Sequence, residues 1–185
     1  GARRIEVELG RGGLEFISVS DDGSGIAADE IHHALRRHWT SKISRTADLI
    51  GIDSLGFRGE ALASIAAVAD IEIVTRTPSD DHGWRVTAAA GQQPSVPVPC
   101  QGVVGTRVRV RDLFHNVPAR RRFLKRPRTE FLQAQRVLRR TGFACPDAAL
   151  SFTQAGSRGL RLRPANIGET SPRWRSLWAS SEDVR

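Results

Sequence analysis

Asp21 and the glycines that follow it come first. In Leu14-Glu15-Phe16-Ile17-Ser18-Val19-Ser20, apolar and polar residues alternate as in a half-buried strand, and Asp21 continues the face of Ile17 and Val19. A carboxylate on a core-facing row is costly unless it accepts hydrogen bonds. It can take them from the N–H groups of the next turn, or from a ligand amine such as that of adenine. Gly23 and Gly25 suit a tight turn, or a backbone that approaches a flat ring closely. Gly56-Phe57-Arg58-Gly59-Glu60-Ala61-Leu62 is a glycine-punctuated loop running into a helix. Free N–H groups at a helix start suit phosphate, although an ordinary loop–helix junction looks the same. The Gly-Lys-Ser/Thr ending of a Walker loop is missing. Thr40-Ser41-Lys42 offers two hydroxyls and an ammonium, suited to phosphate oxygens or simply to a surface. Thr106 follows Gly105 at a strand start, where its hydroxyl could reach a base or merely reflect β-propensity.

The second feature is charge. The 185 residues carry a net +8, and the surplus is local. Residues 1–102 hold 10 basic and 14 acidic groups, residues 103–145 hold 12 and 2, and residues 146–185 hold 6 and 4. The segment Pro118-Ala119-Arg120-Arg121-Arg122-Phe123-Leu124-Lys125-Arg126 is the densest part. It reads as a helix with Phe123 and Leu124 inward and the arginines outward, either a solvated face or a phosphate-binding one. Tyr is absent and aromatics are 6%, which argues against a base-stacking platform.

The elements that must position these groups follow from periodicity. Strands are predicted around Ile5–Leu9, Leu14–Ser20, Asp70–Arg76, Trp84–Ala90, Thr106–Arg111, Leu150–Gln154 and Gly159–Arg163. Helices are predicted over 28–38, 60–68, 119–124 and 129–141, with a weak helical signal over 174–179. Residues 39–59 and 91–102 read as loops. Adjacent strands pairing as hairpins, with helices between, imply an α+β sandwich: helices on one face of a mixed, largely antiparallel sheet. Residues 1–165 read as one domain and 166–185 as a linker or the start of another.

Composition excludes other classes. Hydrophobic content of 39% is too high for a disordered tail. No apolar run approaches a membrane span of roughly 20 residues. Cys100 and Cys145 lack metal-ligand spacing and read as reduced, buried thiols. His32, His33 and His38 lack the His-Glu-x-x-His pattern, so a metal enzyme is disfavoured. The chain begins at Gly1 and contains no Met, which reads as a piece of a longer protein.

Taken together, Asp21-Asp22-Gly23-Ser24-Gly25-Ile26, His38-Trp39-Thr40-Ser41-Lys42-Ile43, Leu55 to Ile65 and Gly105-Thr106 through Phe123-Leu124 resemble the MutL family of DNA mismatch-repair proteins. That family belongs to the wider GHKL ATPase group. The resemblance implies a Bergerat-type ATP-binding sandwich. Asp21 would bind adenine, with Gly23 and Gly25 lining the base and Thr106 supporting it. Thr40, Ser41 and Lys42 would lie in the nucleotide lid. Gly56, Phe57, Arg58, Gly59, Glu60, Ala61 and Leu62 would form the phosphate loop and helix start. Arg120, Arg121, Arg122, Lys125 and Arg126 would contact DNA without reading its sequence.

The family's first motif supplies the general-base Glu and the Mg²⁺-binding Asn, and Gly1-Ala2 corresponds to its end. No residue here is assigned as the base, and Glu60 belongs to the phosphate loop. The chain thus reads as an ATPase-domain fragment lacking that motif. Two positions depart from the family pattern. Asp22 replaces Asn and adds negative charge near the base, and Trp39 replaces Ala and adds bulk in the lid. For the intact protein the resemblance implies ATP hydrolysis, homodimerisation through the ATP-bound N-terminal domains, and coupling of mismatch recognition to downstream repair proteins. It also implies a bacterial, cytoplasmic, nucleoid-associated location. The alternatives are another GHKL ATPase of the topoisomerase, chaperone or kinase type, and a non-enzymatic basic module for nucleic acid.

Overall fold

A computed structural model describes residues 1–36, 60–155 and 161–163. Its strands are β1 (Arg4–Gly10), β2 (Phe16–Asp21), β3 (Asp70–Arg76), β4 (Gly83–Ala88), β5 (Val98–Cys100), β6 (Gly105–Arg111), β7 (Ala149–Gln154) and β8 (Arg161–Leu162). They form one sheet in the order β5-β4-β3-β6-β2-β1-β7-β8. Every pairing is antiparallel except β1 with β7, which is parallel. The helices are α1 (Ala61–Ala66), α2 (Pro118–Arg121) and α3 (Pro127–Ala144). The α+β architecture is the one the sequence implies.

Register explains the two-sidedness. Residues directly opposite one another share a face. Val7, Val19, Val108, Ile73 and Val86 form one apolar row across five strands. Leu9, Ile17, Val110, Ile71 and Ala88 form the next. Among the described residues, the helical segments pack on this face. Ile31, Leu35, Ala66 and Ala69 close over the β3–β4–β6 side. Phe131, Ala134 and Leu138 of α3, at helical spacing, cover Val7, Leu9 and Phe152. Phe131 stacks on fully buried Phe152 with ring centroids 4.7 Å apart.

Pro127 occupies the first turn of α3, where its missing N–H costs nothing, and Glu130 lies in the same turn. The helix ends just ahead of Pro146.

Several elements differ from expectation. Over the described part of 28–38 there is no α-helix, only a 3₁₀ turn at Ile31–His33 flanked by turns. Most of its N–H groups bond three residues back, as from His33 to Glu30 and from Arg36 to His33. The apolar spacing of Ile31, Ala34 and Leu35 buries the right residues, but over so short a stretch it does not distinguish a tight turn from a regular one. The expected loop 91–102 contains β5, an edge strand on β4 that tolerates Pro99. The helix near 119–124 is only α2, because none of its side chains is buried and little packing extends it. The helix at 60–68 contracts to α1, with a turn carrying the chain to Val68. Residues 39–59, the Gly156 turn and 174–179 lie outside the described residues.

Candidate nucleotide site

Above the two apolar rows lies a polar one. Ile5, Asp21, Thr106, Thr75 and Trp84 are successive register partners on β1, β2, β6, β3 and β4. The alternation of Ile17, Val19 and Asp21 therefore places the carboxylate on the helix side, as read from sequence, and there it is half-buried. One carboxylate oxygen, Oδ1, accepts the Gly23 N–H at 2.8 Å. The turn-capping role is thus real. A carboxylate offers further acceptor positions beyond this bond.

Thr75 is the residue that sequence reasoning missed. It is 1% exposed. Its hydroxyl donates to the Gly105 carbonyl at 3.0 Å and accepts the Ile26 N–H at 2.8 Å. The Thr106 hydroxyl lies 3.0 Å away and supplies another bond. The available signal was the sequence Ile71, Ile73, Thr75, which repeats the Ile17, Val19, Asp21 pattern of a core-facing row ending in a polar group.

Two glycines are required by close backbone approach. Gly25 has φ +72°, and a Cβ there would lie 2.2 Å from the Arg76 carbonyl oxygen. Gly105 has φ +116°, and its Cβ would lie 2.0 Å from the Asp21 carbonyl oxygen. Gly23 lines the same turn, where a Cβ would meet Asp21 Oδ1 at 2.8 Å. The Gly23–Ile26 loop is thereby laid against the end of β3 and tied down at Thr75. Ile26 and Leu62 both pack on the larger apolar cluster, so this loop and α1 share a foundation. Glu60 is the residue before α1 and makes no side-chain cap, and Ala61 is exposed. Gly56, Phe57, Arg58 and Gly59 lie outside the described residues, as do Thr40, Ser41, Lys42 and Trp39.

Asp22, exposed beside Asp21, is held by the start of β1. Its Oδ1 accepts the N–H groups of Arg3 and Arg4, each at 2.7 Å. The bond from Arg4 is the main cause holding this carboxyl below its ordinary range. The bond from Arg3 adds to it, and partial desolvation opposes both. The carboxylate pins the start of β1 to the end of β2.

Arg120, Arg121, Arg122, Lys125 and Arg126 are all exposed. Phe123 is also exposed, at 77%, which corrects the expected inward packing. Leu124 is half-buried, and with Arg121 and Lys125 it lines a cavity of about 620 Å³ that also contains Arg11 and Glu15. Cys100 and Cys145 are not joined in a disulfide, and both are half-buried rather than buried. Among the described residues no cluster of three or more His, Cys, Asp or Glu is placed to hold a metal ion. Among them also no helix is long and apolar enough to cross a membrane.

A sheet with helices packed on one face is the α+β architecture of GHKL-type ATPase domains. Solved structures agree. The Aquifex aeolicus MutL ATPase domain complexed with ADP superposes with a TM-score of 0.71 at 25% identity, over 96% of this chain and 62% of that one. The N-terminal domain of a DNA repair protein gives 0.73 at 26% identity, over 96% of this chain and 51% of that one. The DNA mismatch repair protein MutL of Pseudomonas putida W619 is 48% identical over 166 residues, covering 90% of this chain and 26% of that protein. Its counterpart in Azotobacter vinelandii DJ is 44% identical over 179 residues, covering 97% and 28%. No family model matches the chain. The chain belongs to the MutL family, and it spans about a quarter of the length of the curated relatives it matches.

Proposed function

We propose that this chain is the adenine-binding part of a MutL-type mismatch-repair ATPase, with residues 1–165 as the nucleotide domain and 166–185 leading out of it. The observation that carries the proposal is the polar row Asp21–Thr106–Thr75 beside the Gly23–Ile26 loop. A half-buried carboxylate next to a hydroxyl fits the donor edge of adenine, and the glycine turn lets a flat ring approach. The ADP-bound MutL relative supports the assignment. In this reading Thr40, Ser41 and Lys42 belong to the lid, and Gly56, Phe57, Arg58, Gly59, Glu60, Ala61 and Leu62 to the phosphate loop. Bound Mg²⁺ would neutralise charge on the phosphates, and no residue of this chain is assigned to hold it.

In the intact protein, ATP binding would close the lid, pair two N-terminal domains and switch contacts with DNA and other repair proteins. Hydrolysis would reset that clamp. Arg120, Arg121, Arg122, Lys125 and Arg126 would hold DNA by its phosphates. Such a protein would act in the bacterial cytoplasm, at the nucleoid.

Fluorescent ADP titrated into the full protein tests the core of this reading. Asp21→Asn keeps an acceptor for the Gly23 N–H but removes the charge. Losing a charged hydrogen bond should weaken binding by roughly ten- to hundredfold with little change in melting temperature. Unchanged affinity would remove Asp21 from the site. Sedimentation with a non-hydrolysable ATP analogue tests dimerisation, and a monomer at saturating nucleotide would refute the clamp.

A further inference from the structure

The face of the sheet opposite the helices carries a line of arginines that the site above does not use. Arg107, Arg109 and Arg111 alternate along β6 with the core residues Val108 and Val110, so all three project from the open face. Alternate residues of a strand are spaced by roughly 6.6 Å, so the three guanidinium groups span a path of roughly 13 Å. On the β2 side their partners are Ser20, Ser18 and Phe16. The two serines put hydroxyl groups beside the first two arginines.

The Arg109 guanidinium carbon lies over the Phe16 ring, 4.4 Å from its centroid, a contact that orients the guanidinium without consuming its donors. The buried Nε of Arg109 has no hydrogen-bond partner, and neither does that of Arg76, which shares this face on β3. Arg85 extends the positive area, since Val74 lies directly between it and Arg107 in the ladder.

Carboxylates on the same face do not cancel the line. Glu6 and Glu8 stand on β1, beyond the β2 serines. Asp70 and Glu72 stand opposite Arg111 and Arg109 on β3, and Asp70 already accepts the Ala90 N–H at 2.9 Å. Arg109 and Arg111 line a cavity of about 350 Å³ with Asp70, Glu72 and Asp112, so the β3 side is mixed in charge and a phosphate would approach from the β2 side. The Phe16–Arg111 end of the seam between β2 and β6 adjoins Glu15 and Asp112, which line the 620 Å³ cavity along with Arg11, Arg121 and Lys125. Glu15 and Asp112 are the chain neighbours of Phe16 and Arg111, so this end of the seam lies next to the cavity that Arg121 and Lys125 line.

We propose that the β2–β6 seam is a second contact for the phosphate backbone of duplex DNA, continuous with the Arg120–Arg126 segment through that cavity. The inference rests on the DNA-binding reading above. Duplex rather than single-stranded DNA is the partner because the one aromatic ring on the seam, Phe16, is covered by Arg109 and cannot stack a base.

The test uses the full protein and a labelled duplex of arbitrary sequence, titrated over a range of salt. The Arg107→Gln/Arg109→Gln/Arg111→Gln variant should bind about tenfold or more weakly, and its log–log salt slope should be shallower by about 2 to 3. If that slope is unchanged while Arg120→Glu/Arg121→Glu/Arg122→Glu weakens binding, the seam is refuted and the segment's role stands. If the wild type binds no duplex, both readings fall. If only the seam variant weakens binding, the seam stands and the segment does not.

Phenylglyoxal modification of the unaltered protein gives a second measurement that needs no variant to fold. Duplex should protect Arg107, Arg109 and Arg111 severalfold. Protection by a single-stranded oligonucleotide alone would overturn the assignment, as would no protection by either.

Discussion

The hydroxyls of Thr75 and Thr106 lie 3.0 Å apart on neighbouring strands, and between them they join the end of β2 to the loop that follows it. Thr106 stands opposite Asp21, and Thr75 holds Ile26. Thr75→Val keeps the shape and removes the hydroxyl, leaving the Ile26 N–H and the Gly105 carbonyl without this partner. The expected cost is about 2 to 4 kcal/mol in chemical denaturation. Nucleotide affinity should fall with it, because the Gly23–Ile26 loop is released. Thr75→Ser should restore most of both. Wild-type stability in the valine variant would show that the hub carries no load.

Gly105→Ala forces a methyl group to 2.0 Å from the Asp21 carbonyl oxygen. Backbone strain alone costs about 1 to 3 kcal/mol, and the strand end must also shift. A thermal melt should show the loss, together with weakened ADP binding as Asp21 moves. A variant that melts normally but fails to bind ADP would place the effect in the site alone.

Asp22 makes a pH-dependent contribution of definite sign. Its folded carboxyl titrates below the ordinary value of 3.8 because it accepts N–H groups from Arg4 and Arg3. Its contribution is therefore complete above that value and is lost as pH falls through it toward the folded titration point. Asp22→Asn keeps the acceptor but removes the titration. Melting temperature measured from pH 6 down to pH 2.5 should fall less steeply for Asp22→Asn than for the wild type. Parallel curves would mean that the folded carboxyl titrates normally.

Phe152 is completely buried under Phe131. Phe152→Ala should cost about 3 to 5 kcal/mol, the usual range for truncating a core aromatic. Phe131→Leu should cost less, because α3 keeps Ala134 and Leu138 on the same cluster. The ratio of the two losses in denaturant titrations measures how firmly α3 is seated.

Much of the sheet was legible because alternation in Ile5–Leu9, Ile17–Asp21 and Ile71–Thr75 is a local signal that pairing then shares across strands. That logic put Asp21 on the correct face. Thr75 was opaque for the opposite reason. Within Ile73-Val74-Thr75 it looks like another β-branched strand residue, and its role comes from Gly105, 30 residues away. The partners of Asp22 were not legible because they are the N–H groups of Arg3 and Arg4, brought near only by the β1–β2 hairpin. Phe123 misled because hydrophobicity predicts burial only where a neighbouring element supplies a surface. The strand at Val98–Cys100 was hidden by Pro99, which an edge position permits.

The parallel pairing of β1 with β7 also sets an order of events during synthesis. Val7 and Leu9 leave the ribosome some 140 residues ahead of Phe152, which packs beside them. At roughly 5 to 20 residues per second, that separation is about 7 to 28 seconds. Through that interval the apolar side of the β1–β2 hairpin has neither β7 nor α3 to cover it. The nascent chain thus carries a sticky hairpin through that interval, and a chaperone or a slowed codon run would act on that window.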